Sequence, residues 1–104
     1  MSVAFSPMKI GNMEVKNRFV RSATYECMAK ETGEVTDELV NLYRHLAADE
    51  AGLIITGYTF IHPLGRAHTY QAGIHNDEMI PGLKRMVDAG KIPGEERMKI
   101  AFIF

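Results

Sequence analysis

Residues 36–56 read TDELVNLYRHLAADEAGLIIT, and this stretch decides the fold. The Thr36 hydroxyl suits a helix N-cap, where it accepts a free backbone N–H. Asp37 and Glu38 then put negative charge in the first turn, where the helix dipole favours it. Leu39, Leu42, Tyr43, Leu46 and Ala47 recur at helical spacing and make one apolar stripe. Gly52 reads as the signal that ends the helix. Leu53-Ile54-Ile55-Thr56 follows as a continuous apolar run, the pattern of a strand covered on both faces.

Working outward toward the N-terminus, Met8-Lys9-Ile10 and Met13-Glu14-Val15-Lys16 are short alternating runs. Gly11-Asn12 between them tolerates positive φ, so a β-hairpin is expected. Asn17 to Arg21 reads as a strand, and residues 22–36, polar and carrying Gly33, read as a long loop. Toward the C-terminus, a second polar loop over 57–76 holds Gly57, Pro63, Gly65 and Gly73. Asn76 or Asp77 caps a second helix, with Pro81 tolerated in its opening turn. Ile80, Leu83, Met86 and Val87 gather on one side of it, with Met79 and Met86 read as core packing. Gly90, Pro93 and Gly94 interrupt the chain, and Lys99 to Phe104 close it as an apolar strand.

The order is hairpin, strand, long loop, helix, strand, long loop, helix, strand. Such alternation implies an α/β fold with a parallel sheet and right-handed crossovers. Ligand sites in these folds lie at the carboxyl ends of the strands, so loops 22–36 and 57–76 are where function is expected. Three strands do not close a barrel, which usually takes about 250 residues.

The chain has 104 residues, 46% hydrophobic and 24% charged, which is the composition of one globular domain. Twelve Lys+Arg against thirteen Asp+Glu give a net charge of -1, with no electrostatic pull toward nucleic acid. A single Cys forms no internal disulfide, so a reducing, cytoplasmic setting is the expectation. No apolar run approaches the roughly 20 residues of a membrane span, and Met1 to Phe5 lack the pattern of a signal peptide.

Few residues announce chemistry. Arg18, Arg21 and Arg66 suit a phosphate or carboxylate ligand, or, for Arg18 and Arg21, pairing with carboxylates beside a strand. His62, His68 and His75 share one loop, but spacings of six and seven match no compact metal motif, so they read as solvated and no metal is expected. Cys27 reads as semi-buried and inert. The glycines form neither a dinucleotide fingerprint nor a P-loop.

Phe5-Ser6-Pro7-Met8-Lys9-Ile10-Gly11-Asn12-Met13-Glu14-Val15-Lys16-Asn17-Arg18 resembles the opening of the old yellow enzyme, or NADH:flavin oxidoreductase, family. Gly52-Leu53-Ile54-Ile55-Thr56-Gly57, Pro63-Leu64-Gly65-Arg66 and Asn76 to Lys84 follow in the family's order and spacing. The resemblance covers residues 5–89, and 90–104 depart from it. It implies that residues 1–104 are a single partial domain, the N-terminal portion of an FMN-binding (β/α)8 TIM barrel: a hairpin, about three parallel strands and two helices.

The resemblance also implies a site. Ser22, Ala23, Thr24 and Tyr25 correspond to the segment whose backbone lies against the flavin, with Tyr25 where relatives often carry Thr or Cys. Tyr58 corresponds to a small residue that approaches the isoalloxazine, which would require its side chain to turn away. Ile103 corresponds to a Gln that hydrogen-bonds the flavin pyrimidine edge. The implied activity is FMN-dependent oxidation of NADH or NADPH with reduction of a small-molecule acceptor. The alternative is a non-catalytic, truncated remnant. Apolar faces and bare strand edges lead either reading to expect a homo-oligomer.

Overall fold

A computed structural model describes residues 2–49, 51–91 and 99–104. The hairpin is present: β1 (Met8–Ile10) pairs antiparallel with β2 (Met13–Val15), Ile10 facing Met13, across Gly11 at φ 61°. Three further strands, β3 (Val20–Arg21), β4 (Leu53–Ile55) and β5 (Lys99–Ala101), form one parallel sheet in the order β3-β4-β5. Two helices, α1 (Asp37–Ala48) and α2 (Ile80–Ala89), make the crossovers.

Local chemistry explains each boundary. Thr36 accepts the Leu39 N–H at 3.2 Å and starts α1 as its sequence predicts. Asn76 caps through Glu78 N–H at 2.9 Å, opening a 3-10 turn, Asp77–Met79, that runs into α2 with Pro81 near its start. Gly90 caps the end of α2. The expected breakers Pro93 and Gly94 lie outside the described residues.

Three expectations are corrected. The first is the strand expected over 99–104, which is only Lys99–Ala101, with the Ile103 carbonyl taken by Thr59 instead of a longer ladder. The strand expected over 17–21 is only Val20–Arg21, because the Asn17 carboxamide accepts the Phe19 N–H at 3.0 Å and turns the backbone first. Gly52 does not end α1, which stops at Ala48 with Asp49 as its C-cap. Instead, Gly52 passes against Asn17, where a Cβ would stand 2.6 Å from the Asn17 carbonyl oxygen, and its N–H bonds the Phe19 carbonyl at 3.0 Å.

The helices cover one face of the sheet. Leu39, Val40, Tyr43 and Ala47 of α1 pack with Met79, with Leu83 and Met86 of α2, and with Ile54 of β4, while Ile100 and Phe102 lie against the same cluster. Side chains alternate along a strand, and Val20 pairs with Leu53 while Arg21 pairs with Ile54. Val20, Leu53, Ile55, Lys99 and Ala101 therefore belong to the opposite face. There Val20 is 51% exposed but Leu53 only 9%, and Ile103, just past the end of β5, is 45% exposed.

The two long loops are tied to each other. Ala29 N–H bonds the Tyr70 carbonyl at 3.1 Å, and Gly73 N–H bonds the Gly33 carbonyl at 2.9 Å. Arg66 lies 5.3 Å over the Phe60 ring and donates to the carbonyls of Glu31, His68 and Thr69.

Candidate functional site at the carboxyl ends of the strands

The segments that follow β3, β4 and β5 converge at one edge of the sheet. Thr59 fixes the last of these, donating both its N–H (2.9 Å) and its hydroxyl (3.1 Å) to the Ile103 carbonyl. Tyr25 and Tyr58 meet with ring centroids 5.8 Å apart in an edge-on arrangement. His68 stacks on Tyr25 at 4.5 Å and sets its edge to Tyr58 at 5.9 Å. The wholly buried Gln71 steadies this group: its amide donates to the Tyr58 carbonyl, and its oxygen accepts from the N–H groups of Ala67 and His68. The Tyr25 phenol is pushed above its usual pKa, first by hydrogen bonding to Cys27 and then by desolvation. Ser22, Ala23 and Thr24 are exposed beside these rings.

Beneath the rings lies a carboxylate network. One Glu26 oxygen accepts from the Tyr43 hydroxyl and from Gly57 N–H at 3.1 Å. Gly57 N–H also lies 3.3 Å from the Tyr43 oxygen. Tyr43 is fully buried on α1, and Arg21 sits 6.0 Å over its ring. Burial pushes the Tyr43 phenol far up, and the Glu26 hydrogen bond and charge push it further, so it keeps its proton and remains a donor. At Gly57 a Cβ would stand 2.1 Å from the other Glu26 oxygen and 2.6 Å from the Thr24 carbonyl.

Several residues differ from their sequence reading. Cys27 is exposed, not semi-buried, because its backbone takes a left-handed turn at φ 58°. Arg21 donates to the Ile55 carbonyl at 3.2 Å, with no carboxylate partner among the described residues, because its face of the sheet meets α1. The histidines are more than solvated. His62 caps the Pro63–Gly65 turn through Leu64 N–H, and the half-buried His75 stacks on Phe60 at 4.7 Å. The Tyr58 ring joins the aromatic group at the site. No group of three or more His, Cys, Asp or Glu among the described residues is arranged to hold a metal ion. Among them, no helix is long and apolar enough to cross a membrane.

Residues 4–94 match the model of the NADH:flavin oxidoreductase / NADH oxidase family. The chain belongs to that family. It is 37% identical over 94 residues to a metal reductase of Desulforamulus reducens, covering 90% of this chain and 14% of the relative. It is 37% identical over 91 residues to an NADPH dehydrogenase of Listeria monocytogenes, covering 85% of this chain and 26% of that enzyme. Among solved structures, a 2-naphthoyl-CoA reductase in complex with 2-naphthoyl-CoA superposes with a TM-score of 0.84. That match has 30% identity and covers 97% of this chain and 15% of the other. The chain thus spans between about a seventh and a quarter of the curated relatives' length. Its open sheet with helices on one face is the N-terminal portion of the family's TIM barrel.

Sequence reasoning missed Glu26, Tyr43 and Gln71. Tyr43 sits on an apolar stripe and reads as packing alone. Glu26, an acidic residue between Tyr25 and Cys27, and Gln71 in a polar loop carry no spacing signal, because the bonds that tie them into the site reach Gly57 and Tyr58, 31 and 13 positions away.

Proposed function

We propose that this chain contributes the first part of the flavin site of an FMN-dependent oxidoreductase. When bound, FMN would take hydride from NADH or NADPH and pass it to a small-molecule acceptor such as an activated alkene. The observation that carries the reading is the convergence of residues 22–25 with 57–58 at the carboxyl edge of a sheet whose sequence matches the family model over 4–94. The donor set suits a flat, polar-edged ring system. The Ala23 and Thr24 N–H groups make no hydrogen bond within the described residues and stand beside the tyrosine pair.

In this reading Ser22, Ala23, Thr24 and Tyr25 present backbone to the flavin. Tyr58 presents its backbone while its ring closes the side of the cleft with Tyr25 and His68. Ile103, half exposed just past the end of β5, would be directed toward the flavin in this reading. The half-exposed Val20 and the outer edges of β3 and β5, which pair with no further strand among the described residues, favour self-association, and the lone cysteine favours the cytoplasm. The same edges favour a second reading, a non-catalytic remnant stabilised only by pairing with other copies.

Titration of the purified chain with FMN, followed by quenching of flavin fluorescence, tests the proposal. Saturable binding, with bleaching of the flavin absorbance on anaerobic addition of NADH or NADPH, is the expected result. Binding in the high micromolar range is expected, because 22–25 and 57–58 supply only part of a flavin's contacts. No binding at millimolar FMN overturns it and leaves the remnant.

A further inference from the structure

Glu26 directly follows the segment proposed to face the flavin, yet its carboxylate turns away from the cleft and inward. There it meets the N–H of Gly57, the residue that opens the segment after β4, and the hydroxyl of Tyr43 in the helix layer. Its attachments therefore join three pieces of chain: the segment after β3, the end of β4 and α1. The approach is tight, since any Cβ at residue 57 would collide with the carboxylate and with the Thr24 carbonyl. The anchor is rigid, since Tyr43 is fully buried and roofed by Arg21.

We infer that Glu26 is a positioning residue: seated on Tyr43, its carboxylate sets the distance between residues 22–25 and 57–58, and with it the width of the cleft. The link to a flavin rests on the function proposed above; the link between the two segments does not. A carboxylate suits the task because a single ionised oxygen accepts two donors in charge-assisted bonds. An amide in its place would accept more weakly and would bring N–H donors against the Tyr43 hydroxyl. An aspartate would keep the charge but fall one methylene short of Gly57.

The test uses the full chain, with Glu26→Gln and Glu26→Asp beside the parent. Three quantities are measured: hydrogen exchange at the Gly57 amide, the Tyr25–Tyr58 ring contact by nuclear Overhauser effects, and FMN affinity by fluorescence. Both variants should exchange Gly57 about tenfold faster and bind FMN about tenfold more weakly, the loss of one charge-assisted bond. The ring contact should weaken in both, with thermal midpoints near the parent's. Unchanged exchange and ring contact overturn the inference. So does an affinity that falls only in step with the thermal midpoint, which marks Glu26 as a stabilising residue alone. If the parent binds no FMN, the functional reading fails by itself, and exchange with ring contact still decide whether Glu26 spaces the segments.

Discussion

The two faces of the β3-β4-β5 sheet differ sharply. On one, Ile54 is wholly excluded from water beneath α1 and α2, with Leu39 and Tyr43 packed around it. On the other, Val20 at the edge is about half exposed, while Leu53 in the central strand is buried. Each face mixes apolar residues with one cation, Arg21 on the helix side and Lys99 on the other, so composition does not separate them; the helices do. The helix-covered face carries the core that fixes the fold.

The largest expected effect separates the faces directly. Leu39→Ala should lose about 2–5 kcal/mol by chemical denaturation, because it opens a cavity in a closed core. Val20→Ala should lose about 0.5 kcal/mol, in keeping with its exposure. Equal losses would break the contrast and mean that the second face is buried in solution.

The next effect lies where the faces meet, at the strand ends. Gly57→Ala forces a Cβ onto Glu26 and Thr24 and should cost about 1–3 kcal/mol. Gly65→Ala, with nothing within 4 Å of its would-be Cβ, should stay within about 0.5 kcal/mol.

Just past the end of β5, Ile103→Gln should leave the thermal midpoint nearly unchanged and strengthen FMN binding up to about tenfold, by the worth of one buried hydrogen bond. Ile103→Leu should do neither. A Gln variant that melts earlier with no gain in affinity would place residue 103 among the helices instead. The smallest effect belongs to the outer surface of α2. The Lys84–Asp88 pair, 3.0 Å apart and largely solvated, should contribute no more than about 0.5 kcal/mol when tested by Lys84→Ala.

The helix layer was legible in the sequence because its signals are local. Thr36 and Asn76 cap within three residues, and the stripe from Leu39 to Ala47 shows its period on sight. The hairpin was legible for the same reason, through Gly11-Asn12. The positions at the site came from family resemblance, not from pattern. What escaped were contacts made across long separations. Gly52 served a close approach to Asn17 instead of a helix end, and Glu26 found partners on α1 and beyond β4; the Asn17 turn that shortened a strand is local but has no pattern of its own. A one-dimensional reading sees a polar residue in a loop and has no means of seeing what folds up against it.

Arg66 carries a consequence for how the protein is cut. Its guanidinium holds carbonyls of Glu31, His68 and Thr69, so one side chain latches two loops that lie 35 residues apart. A protease needs several residues of slack chain to engage a bond, and neither loop gains that slack while the latch holds. Susceptibility at the two loops is therefore shared: the Arg66 latch and the Ala29–Tyr70 and Gly33–Gly73 backbone bonds must open together, which exposes both loops at once, and digestion should yield the products of double cleavage without a long-lived singly cut species.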